Sequence, residues 1–412
     1  IAMKKILLLS GIHICHNPRV VKEADALAEA GHEVTVLGMP SLARLREEDA
    51  ETARDKKWKF IEVPGPASPG MVGRRIYRGV AKKIADSLAR AFSWQTEAQL
   101  GGWRRDLLRV ALRNPADLVV AHSAATLWVA WALHQKGQPV AADFEDWFSR
   151  THEKSPQFPD VVIERLEKKI LGIAKHVSCP SEAMAEKIGQ RFGRKPAVIY
   201  NSFPAQSAAA LASSPGPDGP KVLWISQALG PGRGLETLLR ALELCEPTFT
   251  VTLVGNPQGD YQDLLKRMIP PRWTRRLEFR GQVQDREVMD LVSAHQVGLA
   301  LEPAHPENKD LTCSNKIFQY LACGLAVIAT KTKGQTEIAE KTGEGVSLVA
   351  NGSSSELAGA LQALVSDPQK LQRARSNSWE TARMKLGWGL EKIRLLRLFA
   401  ASLAVEPNHA KT

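Results

Sequence analysis

The sequence predicts an α/β fold made of two doubly wound domains, on three observations. Short β-branched or leucine-rich runs alternate with helix-period segments along the whole chain. A Pro-, Ala- and Ser-rich stretch with almost no charge, PAQSAAALASSPGPDGP at 204–220, interrupts that alternation near its middle. At 412 residues the chain is also too long for a single hydrophobic core.

Taken in order, KKILLLS, EVTVLGM, KFIEV, DLVVAH, PVAADFED, HVSCPS and AVIYNS are the strands expected before the interruption. KVLWIS, FTVTLVG, LEFRG, VGLALEP, AVIAT and VSLVA are those expected after it. Segments such as NPRVVKEADALAEAGH and GLETLLRALELC carry the helical period between them. Such apolar strands, separated by helices, form parallel sheets covered on both faces. The expected division is 1–203 for the first domain, 204–220 for a linker, 221–380 for the second domain and 381–412 for a helical tract. The run SNSWETARMKLGWGLEKIRLLRLFAASLA leads into and makes up most of that tract, which is expected to pack across a domain surface and return to the first domain. The two domains are expected to face each other across a cleft, with ligands at the carboxyl ends of the strands.

With 44% hydrophobic and 24% charged residues, the composition is that of an ordinary globular protein. The net charge of +11 points to an anionic partner: nucleotide phosphates, an anionic lipid surface or nucleic acid. Nucleic acid is excluded, because neither zinc-finger spacing nor an RNA-recognition signature is present. Five scattered cysteines without CxxC argue against disulfides and a structural zinc site and fit a reducing compartment. The leading IAM reads as a remnant before a native start at Met3. MKKILLLSGI reads as a first strand rather than a signal peptide, since its apolar run is short and His13, His16 and Arg19 come at once after it. VVAHSAATLWVAWALH is too short to span a bilayer. A cytoplasmic protein, at most peripheral at the inner membrane face, is expected.

One segment, 74–113, departs from the alternation. Ile76, Val80, Ile84 and Leu88 recur every fourth residue there, flanked by Arg and Lys. It reads either as a core-packed helix with a solvated basic face or as an interfacial helix that meets anionic lipid.

Several places carry residues suited to chemistry. In SQALGPGRGLETLL (226–239), Gly230, Gly232 and Gly234 let the backbone approach a ligand at a helix start. Arg233 adds a forked cation suited to a diphosphate, although a tight turn with a surface arginine gives the same pattern. The stretch matches neither GxxxxGK[ST] nor GxGxxG. In CSNKIFQYLACGLAVIAT (313–330), Ser314 is a candidate N-cap, and Lys316 and Gln319 share one helix face, either as an anion site or as exposed residues. His122 ends the strand DLVVAH, where it is either a satisfied histidine or a cleft residue. DFED places Asp143, Glu145 and Asp146 at a neighbouring strand end, as helix caps or as a general base. Pro18 opens the first helix, and Arg19 behind it is a capping group or an anion contact.

NPRVVKEADALAEAGHEVTVL, ADLVVAHS, RLEKKILGIAKHVSCPSEAMAEKIGQRFGRKPAVIYNS, GPGRGLETLLRAL, SNKIFQYLACGLAVIATKTKGQTEI and NSWE together resemble glycosyltransferase family 4 and its GT-B relatives, in order along nearly the whole chain. The resemblance implies a nucleotide-sugar donor, by analogy a UDP-sugar, held mainly by the C-terminal domain and a glycan, lipid-linked or small-molecule acceptor on the N-terminal one. It implies that Arg233 and Lys316 contact the diphosphate, with Gly232 and Asn315 beside them. The amides of Gly281 to Val283 would face the base and Gln319 the ribose. His122 would approach the donor sugar, while Arg19 and Asp143 would lie on the acceptor side.

The chain departs from the family where two glutamates are usual, which here fall on Leu311 and Gln319. Gln319 still offers donors and acceptors to a ribose, but Leu311 cannot hold a sugar hydroxyl, so Glu302 or Glu307 is the candidate replacement. The Lys-x-x-Gln spacing also resembles an inverting glucuronosyltransferase, which needs a base such as Asp146, Glu145 or Asp143. The retaining reading, favoured by the family-wide pattern, needs no protein base. No metal or other cofactor is expected. The alternatives are a nucleotide-sugar 2-epimerase and a non-catalytic sugar-nucleotide-binding protein.

Overall fold

The computed structural model of the chain describes residues 2–65, 68, 72–153, 155, 158–208, 211 and 216–404. It divides into two units. The first runs through Pro180, adds Met184–Ile199 and resumes at Lys392; the second comprises Ser181–Ala183 and Tyr200–Glu391. The boundary expected after residue 203 therefore falls before Tyr200, whose amide is bound by the Glu391 carboxylate at 3.0 Å within the second unit. The described part of the 204–220 segment also groups with that unit, where the Gln206 amide donates to Ala322 O at 2.7 Å and Gln206 O accepts from Trp379 Nε1 at 2.8 Å.

The first unit carries β1 (Lys5–Leu9), β2 (Glu33–Gly38), β3 (Lys59–Glu62), β4 (Leu118–Ala121), β5 (Val140–Asp143), β6 (Val177–Cys179) and β7 (Ala197–Val198). They form one sheet in the order β3-β2-β1-β4-β5-β6-β7, with every pair parallel. Ile6 pairs in register with Val34 on one side and Leu118 on the other. β4 and β5 are buried at every residue, as strands covered on both faces must be.

The second unit carries β8 (Lys221–Leu229), β9 (Thr250–Pro257), β10 (Leu277–Arg280), β11 (Val297–Ala300), β12 (Ala326–Thr330) and β13 (Val346–Val349). Their order, β10-β9-β8-β11-β12-β13, repeats the arrangement of the first sheet, again all parallel. Trp224, Trp273, Phe249 and the leucines of helix Leu235–Glu243 fill its core. Both sheets are thus doubly wound, and each reverses direction of winding between its first and fourth strands, the place where such folds bind ligands.

Two elements differ from the sequence expectation. β8 does not stop at Ser226 but continues to Leu229 through an irregularity between Ile225 and Ala228, because β9 extends with it. The C-terminal tract is two helices, Pro368–Met384 and Trp388–Leu403. They part at Gly387, where any Cβ would lie 2.3 Å from Ala382 O. From Lys392 the last helix belongs to the first unit, where Ser402 Oγ sits 2.7 Å from His176 Nδ1.

The 74–113 segment contains helices Val72–Phe92 and Arg104–Leu112. The core-packed reading of the first is overturned. Ile76, Val80 and Ile84 are exposed and Leu88 is half-buried, while Ala85 and Ala89 are buried. The side chains of Arg74 and Arg75 lie outside the described residues.

All five cysteines are free and buried, as small hydrophobes would be. Among the described residues, no helix is long and apolar enough to cross a membrane.

Candidate functional site

The first unit gathers its chemistry at the carboxyl ends of β4 and β5. Asn17 caps helix Pro18–Glu29 by accepting from the Val20 amide at 3.1 Å, with Pro18 at the first helical position. This orients Arg19 and Glu23, one turn apart, toward the strand ends. Arg19 binds Asp143 through both Nε and Nη2, the latter at 2.8 Å, and donates from Nη1 to Ile199 O at 2.7 Å. Ser178 donates to the same carboxylate at 3.0 Å. Both members of the pair are buried. Burial works against the Asp143 charge, but Arg19 outweighs it and holds the carboxyl below its ordinary range.

His122 directly succeeds β4 and is only 1% exposed. Its Nδ1 lies 3.0 Å from Glu145 Oε1 and its Nε2 lies 3.2 Å from Glu23 Oε1. With a carboxylate at each nitrogen the ring is an imidazolium that donates twice. Burial disfavours that charge, but Glu23 and Glu145 overcome the penalty and raise the pKa from 6.5 to about 10. Glu145 is completed by Asn17 Nδ2, at 2.9 and 3.1 Å from its two oxygens. Its own carboxyl is shifted upward, burial being the largest cause.

These contacts revise the roles expected for this cluster. Arg19 and Asp143 saturate each other rather than facing an acceptor, and His122 has no ring nitrogen left to offer a donor sugar or to act as a base. Asp146 is half-buried and partnered, beside Glu145. Sequence reasoning misses Glu23 and Asn17, although the four-residue step from Arg19 to Glu23 is visible as a shared helix face.

The histidine network has a pH signature. An imidazolium whose pKa is raised contributes stability that is full below about 6.5 and is lost as pH rises through about 10. The Tm of the protein should therefore fall across that window, and His122→Gln should flatten the fall. The groups facing the ring are Glu23, Glu145 and, at 3.8 Å, Asp143. Parallel Tm–pH curves for the two proteins would show that the ring is neutral.

Glu23, His122 and Asp143 offer ligand atoms within 4.8 Å of one another. His13, Cys15 and Asp49 form a similar group. There Nδ1 lies 2.7 Å from Asp49, and Nε2 accepts the Ser41 and Leu42 amides at 2.9 and 3.0 Å. Cys15, His16 and Glu48 form a third.

In the second unit the site grows from the winding reversal between β8 and β11. Gly234 caps helix Leu235–Glu243 with φ +77°, in the left-handed region, and a Cβ there would lie 2.6 Å from Leu301 Cβ. Only glycine lets the turn after β8 close against the end of β11. The turn borders a cavity of about 400 Å³ lined by Gly232, Gly234, Glu302, Thr330, Asn351 and Ser353, among others. These residues lie at or past the ends of β8, β11, β12 and β13, so the cavity opens at the carboxyl edge of the sheet. The helices starting after Gly234 and Ser353 both border it with their N-termini, a favourable place for negative charge.

Arg233 is half-buried and donates from Nη1 to Ser226 Oγ at 2.9 Å. It has no carboxylate partner among the described residues, so its fork remains available to an anion. Lys316 is in the opposite state. Its Nζ lies 2.5 Å from Glu302 Oε1, and the two are 9% and 7% exposed. The ammonium also lies 5.4 Å from the centre of the Trp224 ring. Burial alone would raise the Glu302 carboxyl, but Lys316 in particular drives it down to about 2. The two expected diphosphate cations therefore differ: one is open and one is already neutralised.

The remaining expected residues belong to the same unit. Ser314 occupies the N-cap position of helix Asn315–Ala322, but its hydroxyl makes no capping bond. Asn315 is exposed and accepts from Asn201 Nδ2 at 2.8 Å. The half-buried Gln319 side chain makes no hydrogen bond among the described residues and stays available to a ribose. Gly281 and Val283 lie just past the end of β10, exposed and half-buried. Leu311 is fully buried, its carbonyl accepting from Ser181 Oγ at 2.6 Å. Glu302, committed to Lys316, is not free to replace the glutamate this position lacks. Glu307 starts the short helix Glu307–Leu311 and is partnered.

The family model described as Glycosyltransferase Family 4 matches residues 19–206, and that described as Glycosyl transferases group 1 matches 219–367. No curated protein matches the chain. Among solved structures it is similar to sucrose-phosphate synthase from Thermosynechococcus elongatus, at 19% identity and TM-score 0.70 over 96% of this chain and 98% of that one. It is also similar to Anabaena HepE in complex with UDP, at 19% identity and TM-score 0.68 over 97% and 100% of the two chains. S. aureus TarM, in complex with fondaparinux, alpha-GlcNAc-glycerol and UDP, matches at 10% identity and TM-score 0.69 over 98% and 100%. At these identities the structural likeness speaks for the fold.

Proposed function

Because the chain belongs to the GT-B glycosyltransferases of family 4 type, we propose that it transfers a sugar from a UDP-sugar to a glycan or lipid-linked acceptor, with retention and without a metal ion. The observation that carries this reading is Arg233, an uncompensated forked cation beside the glycine turn that borders the 400 Å³ cavity. Its charge suits the leaving diphosphate, where negative charge grows as the bond to the sugar breaks. The complexes of structurally similar enzymes with UDP, HepE and TarM among them, support uridine as the base.

Retention draws support from the first unit. Two of the three candidate bases are engaged, Asp143 by Arg19 and Glu145 by both His122 and Asn17, as is Glu23 by His122, while Asp146 is half-buried beside them. A retaining transfer asks nothing of them as bases, since the leaving phosphate oxygen takes the acceptor's proton on the same face of the sugar. The cluster instead holds β4, β5 and the first helix in place at the strand ends. A metal-free reaction draws support from Arg233, in the glycine turn, and from the helix N-termini that border the cavity, which supply positive potential that a divalent ion would otherwise provide. NMR of the transfer product formed from an α-linked UDP-sugar in the presence of EDTA tests both points. An α-linked product at an undiminished rate is expected; a β-linked product, or activity abolished by EDTA and restored by magnesium, would contradict the reading.

A further inference from the structure

We infer that helix Val72–Phe92 is a docking surface for an anionic lipid bilayer, on which the protein lies with the helix in the interface plane. At about 100° per residue, Ile76, Val80, Ile84 and Tyr77 fall in a stripe roughly 100° wide on one side of this helix. They are 64%, 50%, 56% and 74% exposed. The opposite side makes the contacts with the unit: Ala85 and Ala89 are buried, and Arg78 pairs with Asp106 and lies over the Trp103 ring at 4.4 Å.

An amphipathic helix serving only a core would turn its large residues inward. This one buries alanines and presents isoleucine, valine and tyrosine to the outside. Phe92 and Trp94, at the helix end and just past it, are exposed as well. Tyrosine and tryptophan suit the boundary between headgroups and acyl chains, where one end of the side chain stays wet.

Charge selects the partner. Lys83 and Arg90 are exposed along one edge of the stripe, neither paired with a carboxylate among the described residues, in a chain of net charge +11. A second copy docked by this face would bring like charges together. An anionic surface takes up both the apolar stripe and its basic edge. No described helix is long and apolar enough to cross the bilayer, so the contact is interfacial. The inference rests on this helix alone and is independent of the donor assignment.

The test is flotation of the full chain with vesicles of phosphatidylcholine alone and of phosphatidylcholine mixed equally with phosphatidylglycerol, in low and high salt. Binding to the mixed vesicles is expected, weakened by salt and at least about tenfold weaker on phosphatidylcholine alone. Ile76→Ser, Val80→Ser and Ile84→Ser combined should reduce it by about tenfold or more. Lys83→Ala and Arg90→Ala should each reduce it by about fivefold. Circular dichroism and UDP binding should be unchanged in all of these, since the altered side chains are exposed. Equal binding by wild type and variants, or none by wild type, would overturn the inference. So would a concentration-dependent dimer in analytical ultracentrifugation that the triple substitution abolishes, since a second copy would then be the occupant.

Discussion

Arg233→Ala is expected to lower turnover of the UDP-sugar by about 10²–10³, the usual cost of losing one preorganised group that meets developing negative charge. UDP affinity should fall by roughly 10–100-fold, as a charge-assisted contact to the diphosphate is lost. The same substitution should shift Tm by no more than about 2 °C, because a half-buried arginine with one hydroxyl partner adds little to folding. The combination of lost binding and kept stability distinguishes a ligand contact from a structural one. Activity equal to wild type would remove Arg233 from the site.

Lys316→Ala is expected to behave differently, because Lys316 is the only cation within salt-bridge range of Glu302 among the described residues. Removing it strands a buried carboxylate, at a cost of about 3–5 kcal/mol and a Tm loss of roughly 6–20 °C. Replacing both partners, Lys316→Met with Glu302→Gln, should restore most of that stability because no buried charge is left. Activity measured in the double variant then reports what Lys316 does for the diphosphate apart from its structural pairing. A Lys316→Ala protein as stable as wild type would show that the pair does not sit in a buried, water-free setting.

Much of this is legible in the sequence because it depends on local pattern. The thirteen strands among the described residues are marked by apolar runs, and each lies within or next to the run that suggests it. The glycine turn is legible because Gly232 and Gly234 both take positive φ, which few other residues tolerate. Pairings between distant elements are not. Glu302 and Lys316 sit on either side of a short helix, and only the end of β11 brings the carboxylate onto the lysine. His122 reads as a cleft residue because its strand-end position is visible, while Glu23 and Glu145, which enclose it, come from a helix and a loop far away in sequence. Ser314 shows the limit of a capping rule: it stands at the N-cap, yet its hydroxyl makes no capping bond. The four-residue step of Ile76, Val80 and Ile84 correctly marks an apolar face, but periodicity does not say which way a face points. The small size of Ala85 and Ala89 is the clue that the helix packs through its other side.

The proposed transfer requires that the second unit hold a nucleotide diphosphate sugar through Arg233. Isothermal titration of UDP into wild type and Arg233→Ala, in buffer without divalent metal, tests it most directly. Saturable binding to the wild type and at least about tenfold weaker binding to the variant at unchanged Tm are expected. Equal affinity in the two proteins, or no binding of UDP by folded wild type, would contradict it.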